Sequence, residues 1–113
     1  MPQQRDDCLF CSLARQGSFV HKANGFAAIN DINPQAPVHI LVIPEGHVDT
    51  FRDIGAFDAG ESKRMLEFVA ETAKKAGLED YRIVVNAGEG AGQTIFHLHW
   101  HILGGREFGE RIA

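Results

Sequence analysis

Apolar and polar residues change period several times along this chain, and each change marks an element. Residues 8–16 (Cys-Leu-Phe-Cys-Ser-Leu-Ala-Arg-Gln) read as a short helix stopped by Gly17. Phe19–His21 and Phe26–Asn30 read as two short strands, with Asn24-Gly25 between them as a hairpin turn. Asn33-Pro-Gln-Ala-Pro37 is a loop. Val38–Ile43 is mostly β-branched and apolar, the mark of a strand buried on both faces, and Pro44 stops it. Asp58–Ala76 has helical periodicity. Met65, Leu66, Val69, Thr72, Ala73 and Ala76 form its apolar stripe, Asp58 with Glu61 makes a capping box, and Gly77 ends it. Tyr81–Asn86 is another strand, followed by the glycine-rich loop Gly88-Glu-Gly-Ala-Gly92. Last comes Phe96-His-Leu-His-Trp-His-Ile-Leu-Gly-Gly105, in which His97, His99 and His101 alternate with Leu98, Trp100 and Ile102. A strand would send the imidazoles to one face and the apolar side chains to the other. The order of elements predicts an α+β class: a five-stranded, mostly antiparallel sheet with a short N-terminal helix and one long helix.

Length and composition narrow the setting. With 113 residues, 44% of them hydrophobic and 23% charged, the chain is expected to form one domain over residues 1–113. The net charge of −4 and the lack of a basic block disfavour nucleic acid as a partner. No apolar run is long enough for a membrane span, and no secretory signal precedes the first elements, so a cytoplasmic location is expected. Cys8 and Cys11, spaced C-x-x-C, suggest metal or redox chemistry more than a structural disulfide in a reducing compartment.

Three imidazoles on one face need an anion, a metal or a reacting group before them, since packing alone does not call for them. Alternation by itself leaves metal chelation and nucleophilic chemistry both open. Asp31, three residues before Pro34, reads by itself as a turn-forming residue. Thr94, Gln93 and Gly92 offer a hydroxyl, an amide and an unobstructed N–H to an anion.

The segment Gly92-Gln-Thr-Ile-Phe-His-Leu-His-Trp-His-Ile-Leu-Gly-Gly105 resembles the signature of the histidine triad (HIT) superfamily, His-φ-His-φ-His-φ-φ with φ apolar. Its flanks are similar to the Hint branch of nucleoside phosphoramidases. Asn30-Asp-Ile-Asn-Pro-Gln-Ala-Pro-Val-His-Ile-Leu-Val-Ile-Pro44 and Tyr81-Arg-Ile-Val-Val-Asn86 are similar to two further blocks of that branch. The resemblance implies a HIT-like fold whose sheet runs on across a homodimer, with the long helix and the Tyr81–Asn86 strand at the two-fold axis. It implies hydrolysis of purine nucleoside 5′-phosphoramidates, of the adenosine 5′-monophosphoramidase type, through a covalent nucleotidyl-histidine. His99 matches the nucleophile, and the carbonyl of His97 is implied to hold its other ring nitrogen. His101 is implied to contact the phosphate or leaving group, and His39 to orient the site. Asp31 is implied on the ribose, with Asn86, Gly92, Gln93 and Thr94 near ribose and phosphate, and Leu9, Phe10, Leu13 and Ile29 around the base. A structural Zn2+ on Cys8, Cys11, His47 and His97 is implied, and no organic cofactor. Two departures stand out: Asn30 where the branch often has histidine, and a C-terminal tail without the usual tryptophan. The alternatives are a dinucleoside polyphosphate hydrolase of the same superfamily and a nucleotide- or zinc-binding regulatory protein. A triad ending in His101 disfavours a hexose-phosphate nucleotidylyltransferase.

Overall fold

The computed structural model describes residues 2–5 and 7–110. Helix α1 (Leu9–Gln16) leads into strands β1 (His21–Ala23), β2 (Phe26–Asn30) and β3 (Val38–Pro44). A 3-10 turn at Phe51–Ala56 precedes helix α2 (Ala59–Lys75), then come β4 (Tyr81–Val84), a 3-10 turn at Glu89–Ala91, and β5 (Trp100–Gly104). The strands form one antiparallel sheet in the order β1-β2-β3-β5-β4. No helix among the described residues is long and apolar enough to cross a membrane.

The two faces of the sheet carry separate apolar layers. Ala28, Ile40, Val42, Leu98, Trp100 and Ile102 pack with Met65, Phe68, Val69 and Ala73 of α2. Ala27, Ile29, Leu41 and Ile43 pack with Phe10 and Ala14 of α1. β3 is thus covered on both faces, as its mostly apolar run predicts. Helix α2 begins at the Asp58 cap, where the Asp58 carboxylate accepts from the Glu61 N–H at 2.7 Å and the Glu61 carboxylate accepts from the Asp58 N–H at 3.0 Å. It ends beside Gly77, whose φ of 78° suits a residue without a Cβ.

Four expectations need correction. The first strand is His21–Ala23, two residues later than Phe19–His21. Asn24 and Gly25 both have positive φ, 54° and 88°, a two-residue turn that sets Ala23 opposite Phe26 and lets pairing spread backward from there. Leu66 is 56% exposed, because it lies beside the Met65–Val69–Thr72–Ala73 seam, and Phe68 takes the buried position instead. The strand predicted at Tyr81–Asn86 closes at Val84, opposite His101, before the chain turns into the glycine loop. β5 begins only at Trp100. Continuing the ladder would set Leu98 against Pro44, which has no N–H, and the Leu98 N–H bonds the Val48 carbonyl at 2.8 Å instead. The alternation persists all the same: Leu98, Trp100 and Ile102 are buried toward α2.

Ile102 is wholly buried at this junction. Ile102→Ala is expected to lower the unfolding free energy by about 2–5 kcal/mol in urea titrations. A change under about 0.5 kcal/mol would mean that the β5–α2 contact contributes little.

Candidate functional site

Two side-chain clusters lie on the α1 face, and His97 links them: its ring belongs to the first and its backbone carbonyl holds His99 of the second. The first sits under the start of α1. Cys8 is the N-cap, and its Sγ accepts from the Cys11 N–H at 3.3 Å. The C-x-x-C spacing thereby puts both sulfurs at the positive end of a helix. Burial pushes the Cys11 thiol pKa up, and the Arg5 N–H, 3.3 Å from Cys11 Sγ, pulls the other way.

The two imidazoles of this cluster have their tautomers set by outer partners. His97 donates from Nε2 to the Pro44 carbonyl at 2.7 Å, and His47 donates from Nε2 to Asp49 Oδ1 at 2.7 Å. Both Nδ1 atoms are left as lone pairs, only 3.2 Å from each other. His97 Nδ1 is 3.2 Å from Cys8 Sγ and 3.4 Å from Cys11 Sγ, and His47 Nδ1 is 3.4 Å from Cys11 Sγ. Burial lowers the His97 pKa to about 4, so it is neutral, as a metal ligand must be.

Two lone pairs facing each other repel unless a cation lies between them. Bonds of 2.0–2.3 Å around a tetrahedral ion give ligand–ligand edges of roughly 3.3–3.8 Å, close to these separations. All four donor atoms lie within 4.8 Å of one another. Two thiols and two imidazoles, with a carbonyl and a carboxylate behind the imidazoles, fit a tetrahedral divalent ion. Asp49 was not among the sequence candidates. Its position two residues after His47 is the signal that could have found it.

The second cluster lines a cleft of about 390 Å³ between α1, the β2–β3 loop and the histidine segment. His99 donates from Nδ1 to the His97 carbonyl at 2.7 Å, which leaves its Nε2 as a lone pair. Phe10 stands edge-on to its ring, with centroids 5.0 Å apart. Burial lowers the His99 pKa, against the pull of the His97 carbonyl and Asp31.

His101 has the opposite polarity. The Gln35 N–H can only donate, and it lies 3.0 Å from His39 Nδ1. A neutral His39 therefore keeps its proton on Nε2, 2.9 Å from His101 Nδ1. His101 accepts there and carries its own proton on Nε2. Burial lowers the His101 pKa to about 4, with His99 and His39 adding to the shift. Asp31 Oδ2 stands 3.4 Å from His39 Nε2, while its Oδ1 accepts from the Asn33 N–H at 2.8 Å.

The cleft gathers many of the sequence candidates: His99, His101, His39, Asp31, Thr94, Leu9, Phe10, Leu13 and Ile29 all line it. Asn86, Gly92 and Gln93 do not. The Gly92 N–H goes to the Glu89 carbonyl, and the Asn86 amide nitrogen to the Ala91 carbonyl at 2.8 Å. Gln93 is 3% exposed. Its oxygen accepts from the Gly88 N–H, and its nitrogen donates to the Asp49 and Ile95 carbonyls. These bonds hold the glycine loop together and engage the Gly92 N–H and the Gln93 amide, while the Asn86 amide gives one of its two N–H groups. Ile32, Asn33, Gln35 and Ile95 join the lining without having been sequence candidates. Ile32, 91% exposed at the lip, reads only as a loop residue until the cleft is seen.

Comparison with known proteins agrees with this arrangement. The HIT domain matches residues 14–108. The chain is 37% identical over 103 residues to Protein HitA of Neisseria gonorrhoeae, covering 88% of this chain and 96% of that one. It is 33% identical over 113 residues to the purine nucleoside phosphoramidase of Escherichia coli K12, covering 96% and 95%. A histidine triad protein from Clostridium difficile superposes with a TM-score of 0.85 at 33% identity, covering 96% of this chain and 99% of that one. With the five-stranded antiparallel fold, the alternating histidines and a match over most of its length, the chain belongs to the HIT family.

Proposed function

We propose that this chain hydrolyses purine nucleoside 5′-phosphoramidates through a covalent nucleotidyl-histidine and releases the nucleoside monophosphate. The observation behind this reading is the 2.7 Å bond from His99 Nδ1 to the His97 carbonyl, which leaves an unprotonated Nε2 at the cleft. The Escherichia coli relative named as a purine nucleoside phosphoramidase supports the substrate class.

The reaction follows from the two ring polarities. His99 Nε2 forms a bond to the α-phosphorus as the phosphorus–nitrogen bond to the leaving amine breaks. His101 donates from Nε2 to a phosphoryl oxygen. The departing amine takes its proton from solvent, because a second proton on His101 would sit on Nδ1, against the His39 Nε2–H. Water then attacks the phosphorus, gives up a proton to solvent, and the bond to His99 breaks. His39, fixed by the Gln35 N–H, positions His101. Asp31 and Thr94 contact the ribose and the phosphate, and Leu9, Phe10, Leu13 and Ile29 enclose the base. His99→Ala is expected to reduce hydrolysis of adenosine 5′-phosphoramidate by about 10³-fold or more. Calorimetry should still show binding of adenosine monophosphate. Turnover near the unsubstituted level would eliminate His99 as nucleophile.

The four-donor cluster is proposed to hold a structural Zn2+. Bound there, the ion would tie α1 to the segment before β5 and neutralise the facing lone pairs. Elemental analysis is expected to find one zinc per chain. Cys8→Ser should lose it and lower Tm by about 10 °C, with hydrolysis reduced far less than by His99→Ala. Protein purified from zinc-replete cells without the metal would overturn the assignment.

A homodimer through α2 and β4 is also proposed. β4 is a sheet edge with Tyr81 and Ile83 exposed, and Leu66 and Phe51 are exposed nearby. Among the described residues the buried Trp100 Nε1 has no hydrogen-bond partner, and it lies beside an apolar hollow that includes Phe51, Met65 and Leu66. Sedimentation at micromolar concentration should read twice the chain mass, and Leu66→Glu should shift it toward the monomer. A monomeric unsubstituted protein would refute the pairing.

A further inference from the structure

The two thiols hold the first turn of α1, and that turn is also a wall of the cleft. Cys8 and Cys11 are both reduced. Their Sγ atoms face the same His97 Nδ1, from 3.2 and 3.4 Å, and lie within 4.8 Å of each other. Between them in sequence come Leu9 and Phe10, which line the cleft. Phe10 stands edge-on to His97 and His99, with centroids 6.3 and 5.0 Å away.

The two sulfurs differ in access. Cys11 is 0% exposed. Cys8 is half-buried and borders a hollow of about 430 Å³ with Arg5, Asp7, His47, Asp49 and Phe96. A small oxidant entering this hollow meets Cys8 first. One reachable thiol with a shielded thiol beside it is the arrangement of an attacking and a resolving cysteine.

A bond between the sulfurs would reshape this turn. Positions three apart on a helix stand about 5–6 Å apart at Cβ, and a disulfide needs about 3.8 Å. Cys8 is the N-cap, with an extended backbone of φ −100° and ψ 121°, so closure turns the chain at Cys8 and pulls on Leu9 and Phe10. The bonded sulfurs also lose their negative charge and the spacing of roughly 3.3–3.8 Å that two vertices of a tetrahedral ion require.

We propose that Cys8 and Cys11 form a peroxide-sensitive clasp, whose oxidation releases the metal and loosens the base wall of the cleft. The Cys8 thiolate attacks one oxygen of hydrogen peroxide. The O–O bond breaks, Cys8 becomes a sulfenic acid, and the departing hydroxide takes a proton to leave as water. The Cys11 thiolate then attacks the Cys8 sulfur. The S–S bond forms, and the hydroxide lost from Cys8 takes a second proton and leaves as water. Two thiolates are oxidised and one peroxide is reduced, and a dithiol reductant reverses the change. His97 Nε2 stays on the Pro44 carbonyl and the His97 carbonyl still holds His99, so the effect falls on nucleotide binding. This inference rests on the zinc and nucleotide readings above and adds a redox control to them.

The test titrates the zinc-loaded full chain with hydrogen peroxide. A chromogenic chelator reads zinc release, intact mass reads the disulfide, and calorimetry reads the affinity for adenosine monophosphate. One zinc is expected to leave per disulfide formed, with Kd for the nucleotide raised about fivefold. Dithiothreitol with added zinc should restore both. In Cys11→Ser the sulfenic acid lacks a resolving partner, and dimedone should label Cys8. Thiols that resist peroxide, oxidation to sulfinic acid in place of a disulfide, or a disulfide with unchanged nucleotide affinity would overturn the clasp while leaving the zinc assignment standing. A reduced chain that holds no zinc would overturn that assignment, and the clasp with it.

Discussion

The site depends on three bonds made by one buried residue. His97 is fully buried; its Nε2 is fixed on the Pro44 carbonyl, its Nδ1 faces Cys8 and Cys11, and its own carbonyl receives His99. The ring and the carbonyl belong to one residue, so the donor cluster and the cleft share a rigid body. A shift of the His97 backbone would move both the ring that faces the thiols and the acceptor that sets the His99 tautomer. Pro44 adds to the constraint, because it ends β3, leaves its carbonyl for a side chain and supplies no ladder donor. The break in β5 pairing and the anchoring of His97 therefore share one cause.

Gln93 extends this coupling to the glycine loop. Its buried amide joins the Gly88 N–H to the Asp49 carbonyl, and the Asp49 side chain in turn holds His47. The loop that precedes the triad is thus bonded to the ligand-orienting segment. Gly88 has a φ of 96° and packs close to the Arg52 guanidinium, a backbone shape that disfavours any side chain there. A flexible composition has become a fixed support through one amide.

The sheet, both helices and the sidedness of the triad were legible in the sequence because each rests on periodicity or on local turn chemistry. The alternation of Leu98, Trp100 and Ile102 reports the α2 core directly, even where the strand ladder stops. Cys8, Cys11 and their histidine partners were legible through spacing and family resemblance. What could not be read is what depends on contacts between distant backbone groups. Gln93 looks like a free amide until Gly88 and Asp49 are folded onto it. Leu66 looks like core until the helix is seen to turn it outward by one position. The Gln35 N–H that orders His39 is a main-chain group, invisible to any reading of side-chain types.

That main-chain group also explains how two neighbouring imidazoles present opposite faces to one cleft. A carbonyl can only accept, so His99 must donate to it and expose a lone pair. An amide N–H can only donate, so His39 must accept and pass its proton toward His101, which exposes an N–H. Neither backbone group titrates, so neither polarity can reverse while the rings stay neutral. Burial lowers both pKa values, His101 to about 4, and so maintains the neutral state near pH 7. Desolvation costs the charged forms and the backbone selects the tautomers. The alternation in sequence supplies identical side chains, and the folded main chain makes one an acceptor and the other a donor.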